Sequence, residues 1–409
     1  MRADTETDTR EIDAPPDVTD RDRFVRRRSL LFALLAFGLW AALLFAWSAA
    51  SRKLPVAPHA GWPPEIERRA PPLARYDSGW YLKIVEHGYG PPPGPGEKSE
   101  HVFFPLYPLL VAAVSRALAI DGFTAGIAVS VSAMLAAALL FVAEGRRRLG
   151  DADARHALLF LLLFPSAFFL VAMYAESLFL LLALLAFASL ARDRWAAAAG
   201  FGFLAGLTRL PALALCAPLA LAAAGFGAGL PCPSDSKAGR SRRLLRAILV
   251  GAAPAVGVAV WIFGSGWQLH EPGLYFRLQE SWNRGTSPLA GLGRWALALP
   301  ERIARGDVRS HPAFLIDYAD AALFLAVAAW QARHRRWADA SWSAGALLLP
   351  AATGISASMP RYLVVVYPAF YALAEIFRGR PVARAVWWTA SAALLLAGTA
   401  AFVHWRFVA

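Results

Sequence analysis

The residue types best suited to chemistry cluster in one short stretch, Arg75-Tyr76-Asp77-Ser78-Gly79-Trp80-Tyr81-Leu82-Lys83-Ile84-Val85-Glu86-His87. It brings two carboxylates, an imidazole, an ammonium and several aromatic faces together. Trp80, Tyr81, Ile84 and Val85 recur at helical spacing, so the stretch reads as a short amphipathic helix at a membrane surface. Asp77 would stand at its N-terminal end, where it is a candidate for acid–base chemistry and also a favoured helix cap. After the stiff connector Pro91-Pro92-Pro93-Gly94-Pro95-Gly96 comes His101-Val102-Phe103-Phe104-Pro105-Leu106-Tyr107-Pro108. Prolines three apart break regular hydrogen bonding, which suits either backbone lining a polar cavity or an aromatic membrane anchor.

These residues must be positioned by a chain that is far from an ordinary soluble domain. Of its 409 residues 57% are hydrophobic and 17% charged, and mean hydropathy is +0.44. Apolar runs of about 20 residues recur, the length needed to cross a bilayer as a helix. These Ala/Leu-rich runs lack the dyad alternation of a membrane β-barrel. The net charge of +12 comes from short arginine clusters between apolar runs, such as Arg146 to Arg148, which is the pattern of cytoplasmic loops and not of a nucleic-acid groove. Cys216 and Cys232 have no metal-ligand spacing, so neither a disulfide framework nor a structural metal is expected.

Residues 1–24, rich in Asp and Glu, read as a disordered cytoplasmic tail, and 25–409 as a single polytopic domain. With Arg26, Arg27 and Arg28 inside, the first span covers about 30–50. A long external loop follows, about 51–122, in which 103–119 is read as a juxtamembrane helix lying on the surface. Further spans are expected over about 123–143, 156–170, 175–191, 195–207, 211–225, 247–267, 313–331, 338–353, 361–377 and 385–404, giving about eleven in all. A second long external segment covers about 268–312. On this layout the five short internal loops hold 17 basic residues, and the three short external turns hold only Arg209 and Arg361. Asp77, Glu176, Arg209 and Arg361 then all fall on the external side. Arginines at span ends serve equally well as interface anchors.

The pairing of Tyr76-Asp77-Ser78-Gly79-Trp80-Tyr81 with Phe103-Phe104-Pro105-Leu106-Tyr107-Pro108 resembles the PIG-V family of mannosyltransferases, within the GT-C superfamily of membrane glycosyltransferases. Phe164-Pro165-Ser166-Ala167-Phe168-Phe169, Tyr174-Ala175-Glu176-Ser177, Leu207-Thr208-Arg209, Arg361-Tyr362 and Tyr367-Pro368 recur in the same order as in that family. The resemblance covers roughly 75–370. It implies an all-α GT-C-like bundle with juxtamembrane helices in the first external loop, and a polyprenyl-phosphate-linked sugar donor used at the outer face. It also implies a loop carboxylate, here matched by Asp77. One departure is Tyr76, where the family commonly has Trp.

Moving a sugar from a phosphate ester to a hydroxyl needs a base for the acceptor proton and positive charge for the leaving phosphate. Asp77 is the expected base. Arg209, Arg361, Lys83 and His87 are the expected phosphate contacts, and Trp80, Tyr81, Tyr107, Glu176, Trp282 and Arg284 the expected substrate contacts, Trp282 and Arg284 offering an aromatic face and donors for an acceptor. A nucleotide-sugar donor would want a metal between paired carboxylates. No Asp-x-Asp lies on the external side, Asp317 and Asp320 stand at helical spacing at a span's start, and Asp151-Ala152-Asp153 sits in an internal arginine-rich loop. No metal or cofactor is therefore expected. The reading is an inverting glycosyltransferase, a mannosyltransferase by resemblance, of a bacterial plasma membrane, with membrane lipids as surroundings and a glycolipid, glycan or protein as acceptor. The alternative is a transporter or flippase of a lipid-linked or polar solute, which would want ionisable groups mid-span along a central path.

Overall fold

The computed structural model describes residues 18–53, 62, 64–226, 237–282, 287–305, 313–354 and 358–406. The expected disordered tail lies almost wholly outside them, as does Arg284. Among the described residues the regular structure is entirely helical. The main helices are α1 (Val18–Ser51), α2 (Pro64–Arg69), α3 (Asp77–His87), α4 (Leu106–Leu118), α5 (Gly122–Leu149), α6 (Asp151–Leu162), α7 (Glu176–Leu190), α8 (Trp195–Gly206), α9 (Cys216–Leu221), α10 (Lys237–Gln268), α11 (Leu274–Ser281), α12 (Pro288–Ala304), α13 (Ala313–Arg333), α14 (Trp337–Ala351), α15 (Met359–Leu363), α16 (Tyr367–Ile376) and α17 (Pro381–Val403).

Five stretches, Val25–Ser51, Gly122–Leu149, Gly239–Gln268, Leu315–Arg333 and Pro381–Val403, are long and apolar enough to cross a membrane. They coincide with five of the expected spans and, with the shorter apolar helices around them, make this an integral membrane protein. The remaining expected spans fall on shorter or broken helices, so a count of eleven does not follow. The run 156–170 is interrupted: α6 stops before Pro165, and the chain continues through a 3-10 turn at Ala167–Leu170. The run 361–377 is split at Val364 to Val366 into α15 and α16. A broken backbone at membrane depth is tolerated only where protein covers it and satisfies its polar groups. Here Phe164 and every residue from Ala167 to Ala175 are at most 3% exposed. α4, at about 1.5 Å per residue, reaches only about 20 Å and cannot cross. Leu109, Leu110 and Leu118 are exposed while Tyr107 and Val111 are buried, so α4 packs one face on the bundle and leaves an apolar face uncovered.

Side chains at one end of the bundle pair across the arginine-rich turns. Arg148 meets Asp339 at 3.6 Å, Arg192 meets Glu144 at 2.7 Å, Arg246 meets Asp193 at 2.8 Å and Arg336 meets Glu375 at 2.7 Å. All five loops expected to share one face therefore meet at one end. Asp77, Glu176, Arg209 and Arg361 gather at the other.

Elsewhere α8 and α10 approach through glycine. A Cβ on Gly206 would lie 2.2 Å from the Pro254 carbonyl oxygen, and one on Gly257 would lie 2.2 Å from that of Phe203. Such backbone contact is how membrane helices gain dispersion energy without a hydrophobic driving force.

Candidate active site

The buried crossing at Phe164 to Ala175 acts as a frame for the site. Met173 N–H donates to the Leu73 carbonyl at 3.2 Å, and the Ser78 hydroxyl donates to the Met173 carbonyl at 3.1 Å. Tyr174 Oη donates to the Arg75 carbonyl at 3.0 Å, and Ser166 Oγ donates to the Pro360 carbonyl at 2.8 Å. These bonds tie the start of α3 and the start of α15 to the residues just before α7, so three helix starts are held against each other.

Each start carries one ionic group: Asp77 opens α3, Glu176 opens α7, and Arg361 lies in the first turn of α15. Arg361 Nη1 donates to Asp77 Oδ2 at 2.6 Å, while its Nε donates to Glu176 Oε1. Arg209, from the turn after α8, places Nη1 2.9 Å from the same Glu176 oxygen. The guanidinium of Arg361 also lies 4.5 Å from the Tyr174 ring centroid, and that of Arg209 lies 5.2 Å from the Tyr362 centroid. The cluster is thus an Asp–Arg–Glu–Arg chain with aromatic walls, its two acids balancing its two bases.

The order of burial along the chain distinguishes its members. Glu176 has no exposed side-chain surface and Arg209 is 8% exposed, whereas Asp77 is 23% exposed at a cavity of about 80 Å³. That cavity is lined by Asp77, Tyr81, Phe103, Phe104, Thr208, Arg209, Tyr275, Trp282, Arg361 and Tyr362, among others, but not by Glu176. Asp77 does not cap α3, contrary to the bland alternative: Tyr76 holds that position with no side-chain cap bond. Tyr76 adopts φ 52°, unusual for a residue with a Cβ, and its ring is held against Phe402 and Trp405. Burial, ahead of the nearby charge of Glu176, pushes the Tyr81 phenol well above its ordinary range, so it faces the cavity as a neutral hydroxyl.

The other expected residues are placed differently. Lys83 points away and pairs with Glu100 at 2.8 Å, and His87 is largely exposed, 3.9 Å from Glu86. Neither lines the cavity. Tyr107 is fully buried, its hydroxyl donating to the Gly126 carbonyl at 3.0 Å and bonded to Ser130 at 2.9 Å, which makes it a tie between α4 and α5. Trp80 lies behind the wall, stacked on Phe103 at 6.0 Å and edge-on to Trp282 at 5.9 Å. Trp282 lines the cavity, with the Lys98 ammonium 4.6 Å from its ring. Tyr275 and Tyr362 were not expected. Tyr362 was legible as the neighbour of Arg361, and Tyr275 carried no sequence signal. Among the described residues no three His, Cys, Asp or Glu side chains converge as a metal site would.

Residues 24–217, just under half of the chain, match the family described as Mannosyltransferase (PIG-V). Among solved structures, that of the Archaeoglobus fulgidus oligosaccharyltransferase in complex with Zn and sulfate aligns over 80% of this chain at 13% identity, with a TM-score of 0.36. The alignment takes in 48% of that protein, so this chain spans about half its length, and the likeness is too distant to transfer residues. No curated protein matches the sequence.

Proposed function

We propose that this chain, whose N-terminal half matches the mannosyltransferase (PIG-V) family, is a membrane glycosyltransferase. It moves a mannose from a polyprenyl-phosphate carrier to an acceptor hydroxyl at the outer face of the membrane. The observation that carries this reading is one carboxylate and two guanidiniums meeting at a single cavity, with Asp77 the carboxylate at its wall.

In the resting site Arg361 is shared between Asp77 and Glu176. An arriving phosphodiester offers Arg361 and Arg209 oxygens that fit their forked donors, and Arg361 turns part of its charge from Asp77 to the donor. Asp77 then accepts the acceptor's proton as that oxygen bonds to the anomeric carbon. The bond from the anomeric carbon to the phosphate oxygen breaks, and its electron pair leaves on the polyprenyl phosphate. The phosphate gains one negative charge in that step, which the two arginines stabilise. A single displacement inverts the anomeric centre. A double displacement would need a second carboxylate beside the sugar, and Glu176 is committed behind both arginines. The neutral Tyr81 hydroxyl and the ring of Trp282 supply a donor and a flat face for the sugar. The leaving phosphate stays anchored in the bilayer, which suits a site at the membrane surface.

The donor class is tested by giving purified protein either polyprenyl-phosphate mannose or a nucleotide-linked mannose, with a chelator present. Product from the lipid-linked donor alone, with the anomeric configuration inverted, supports the reading. Product from the nucleotide donor alone, or retention of configuration, would sink it.

A further inference from the structure

At the end of the bundle opposite Asp77 a second cavity, of about 500 Å³, is lined by Arg26 of α1, Ala143, Arg146 and Arg147 of α5, and Arg192 after α7. Arginines outnumber carboxylates among the described residues around it. Glu144 serves two of the arginines, lying 3.3 Å from Arg147 and accepting from Arg192 at 2.7 Å. Arg146 lies 3.1 Å from Asp151, a carboxylate that also accepts from Arg155 and from Ser29. Arg26 is exposed, and no carboxylate among the described residues pairs with it. Among the described residues, then, three of the four guanidiniums share two carboxylates, one of them also engaged by Arg155, and Arg26 adds a fourth positive charge.

A need to keep positive charge on one side of the membrane explains why arginines collect at this end. It does not explain why these four surround a cavity. Elsewhere at this end Arg336 is matched with Glu375 and Arg246 with Asp193, while Arg333 and Arg335 are exposed and do not line this cavity. What sets these four apart is that their guanidiniums face one volume, and that volume lies within the range of small-ligand sites.

We infer that this cavity binds a phosphate-bearing anion, either the headgroup of an anionic phospholipid or a free phosphate. Guanidinium forks suit phosphate oxygens, and a basic pocket between membrane helices on the arginine-rich side is where an anionic headgroup is held. The inference is independent of the sugar-transfer reading, since it uses none of the residues at the Asp77 cavity.

The test uses native mass spectrometry of the full chain in neutral detergent, with phosphatidylglycerol, phosphatidylcholine or inorganic phosphate added. Two double variants are compared, R26Q/R147Q at the cavity and R333Q/R335Q elsewhere at the same end, all four side chains being exposed. The wild type is expected to hold phosphatidylglycerol or phosphate but not phosphatidylcholine, with R26Q/R147Q weakened about tenfold or more and R333Q/R335Q unchanged. Lipid that excess inorganic phosphate cannot displace identifies a headgroup site, and displacement or direct phosphate binding identifies a free-phosphate site. Equal binding by wild type and R26Q/R147Q would overturn the inference. So would equal losses in both variants, no preference over phosphatidylcholine, or no binding of either anion.

Discussion

The four ionic residues of the site differ in what their loss should do, because they differ in burial. Glu176 is fully buried and answers both Arg361 and Arg209. Glu176→Gln leaves two guanidiniums facing a neutral amide, and breaking a buried pair from one side costs about 3–5 kcal/mol. A marked drop in the detergent melting temperature is expected together with loss of transfer; a folded variant of unchanged melting temperature would show that Glu176 does not hold the arginines. These four residues were legible in the sequence for a physical reason: few charges occur in so apolar a chain, and those near the membrane must find partners. Lys83 and His87 were misjudged because closeness in sequence stood in for closeness in space. On α3 successive residues step by about 100°, so Tyr81, four after Asp77, shares its face, while Lys83, six after, points roughly 240° away.

Between the residues and the bundle stand the elements that carry them, above all the first loop. Glu100 is the post to which that loop is tied. It accepts from Lys83 at 2.8 Å and from the Gly90 N–H at 3.0 Å. Burial works against its charge, but those bonds outweigh it and hold its carboxyl below the usual value of 4.5. A lowered folded value means the stabilisation is complete above pH 4.5 and is lost as pH falls through the folded value. Hydrogen exchange over residues 88–104 should therefore rise as pH drops below about 4.5 in the wild type, once corrected for the intrinsic rate, and Glu100→Gln should show the raised exchange at every pH. A pH-independent difference of zero between the two would dismiss the tie. That the apolar stretch 103–119 is something other than one long span was readable from Pro105, Pro108 and Arg116, and α4 there has only 13 residues. The breaks at Leu163 to Ser166 and Val364 to Val366 were not, because Pro165 and Pro368 stand in apolar runs that look continuous, and only burial by neighbouring helices makes such breaks affordable.

At the scale of the whole molecule, the asymmetry of basic residues between loops sets the expected orientation, and the pairing of five arginine-rich turns at one end gives that asymmetry a structural counterpart. The exact number of spans was less legible, since several helices are shorter than the bilayer is thick and are sheltered by longer ones. The proposed orientation predicts that, with Cys216 and Cys232 replaced by Ser, a cysteine at Lys98 reacts with an impermeant maleimide added to intact cells while one at Arg335 reacts only after lysis. The reverse pattern would move the Asp77 cavity to the cytoplasmic side. The central claim remains that Asp77 is the base of a sugar transfer, and the most direct measurement is transfer of labelled mannose from polyprenyl-phosphate mannose by purified wild type and Asp77→Asn across a panel of acceptors. Turnover by the wild type is expected, with a loss of at least about a hundredfold in a folded variant. Equal turnover by the two proteins, or labelled sugar carried across a bilayer without transfer, would contradict it.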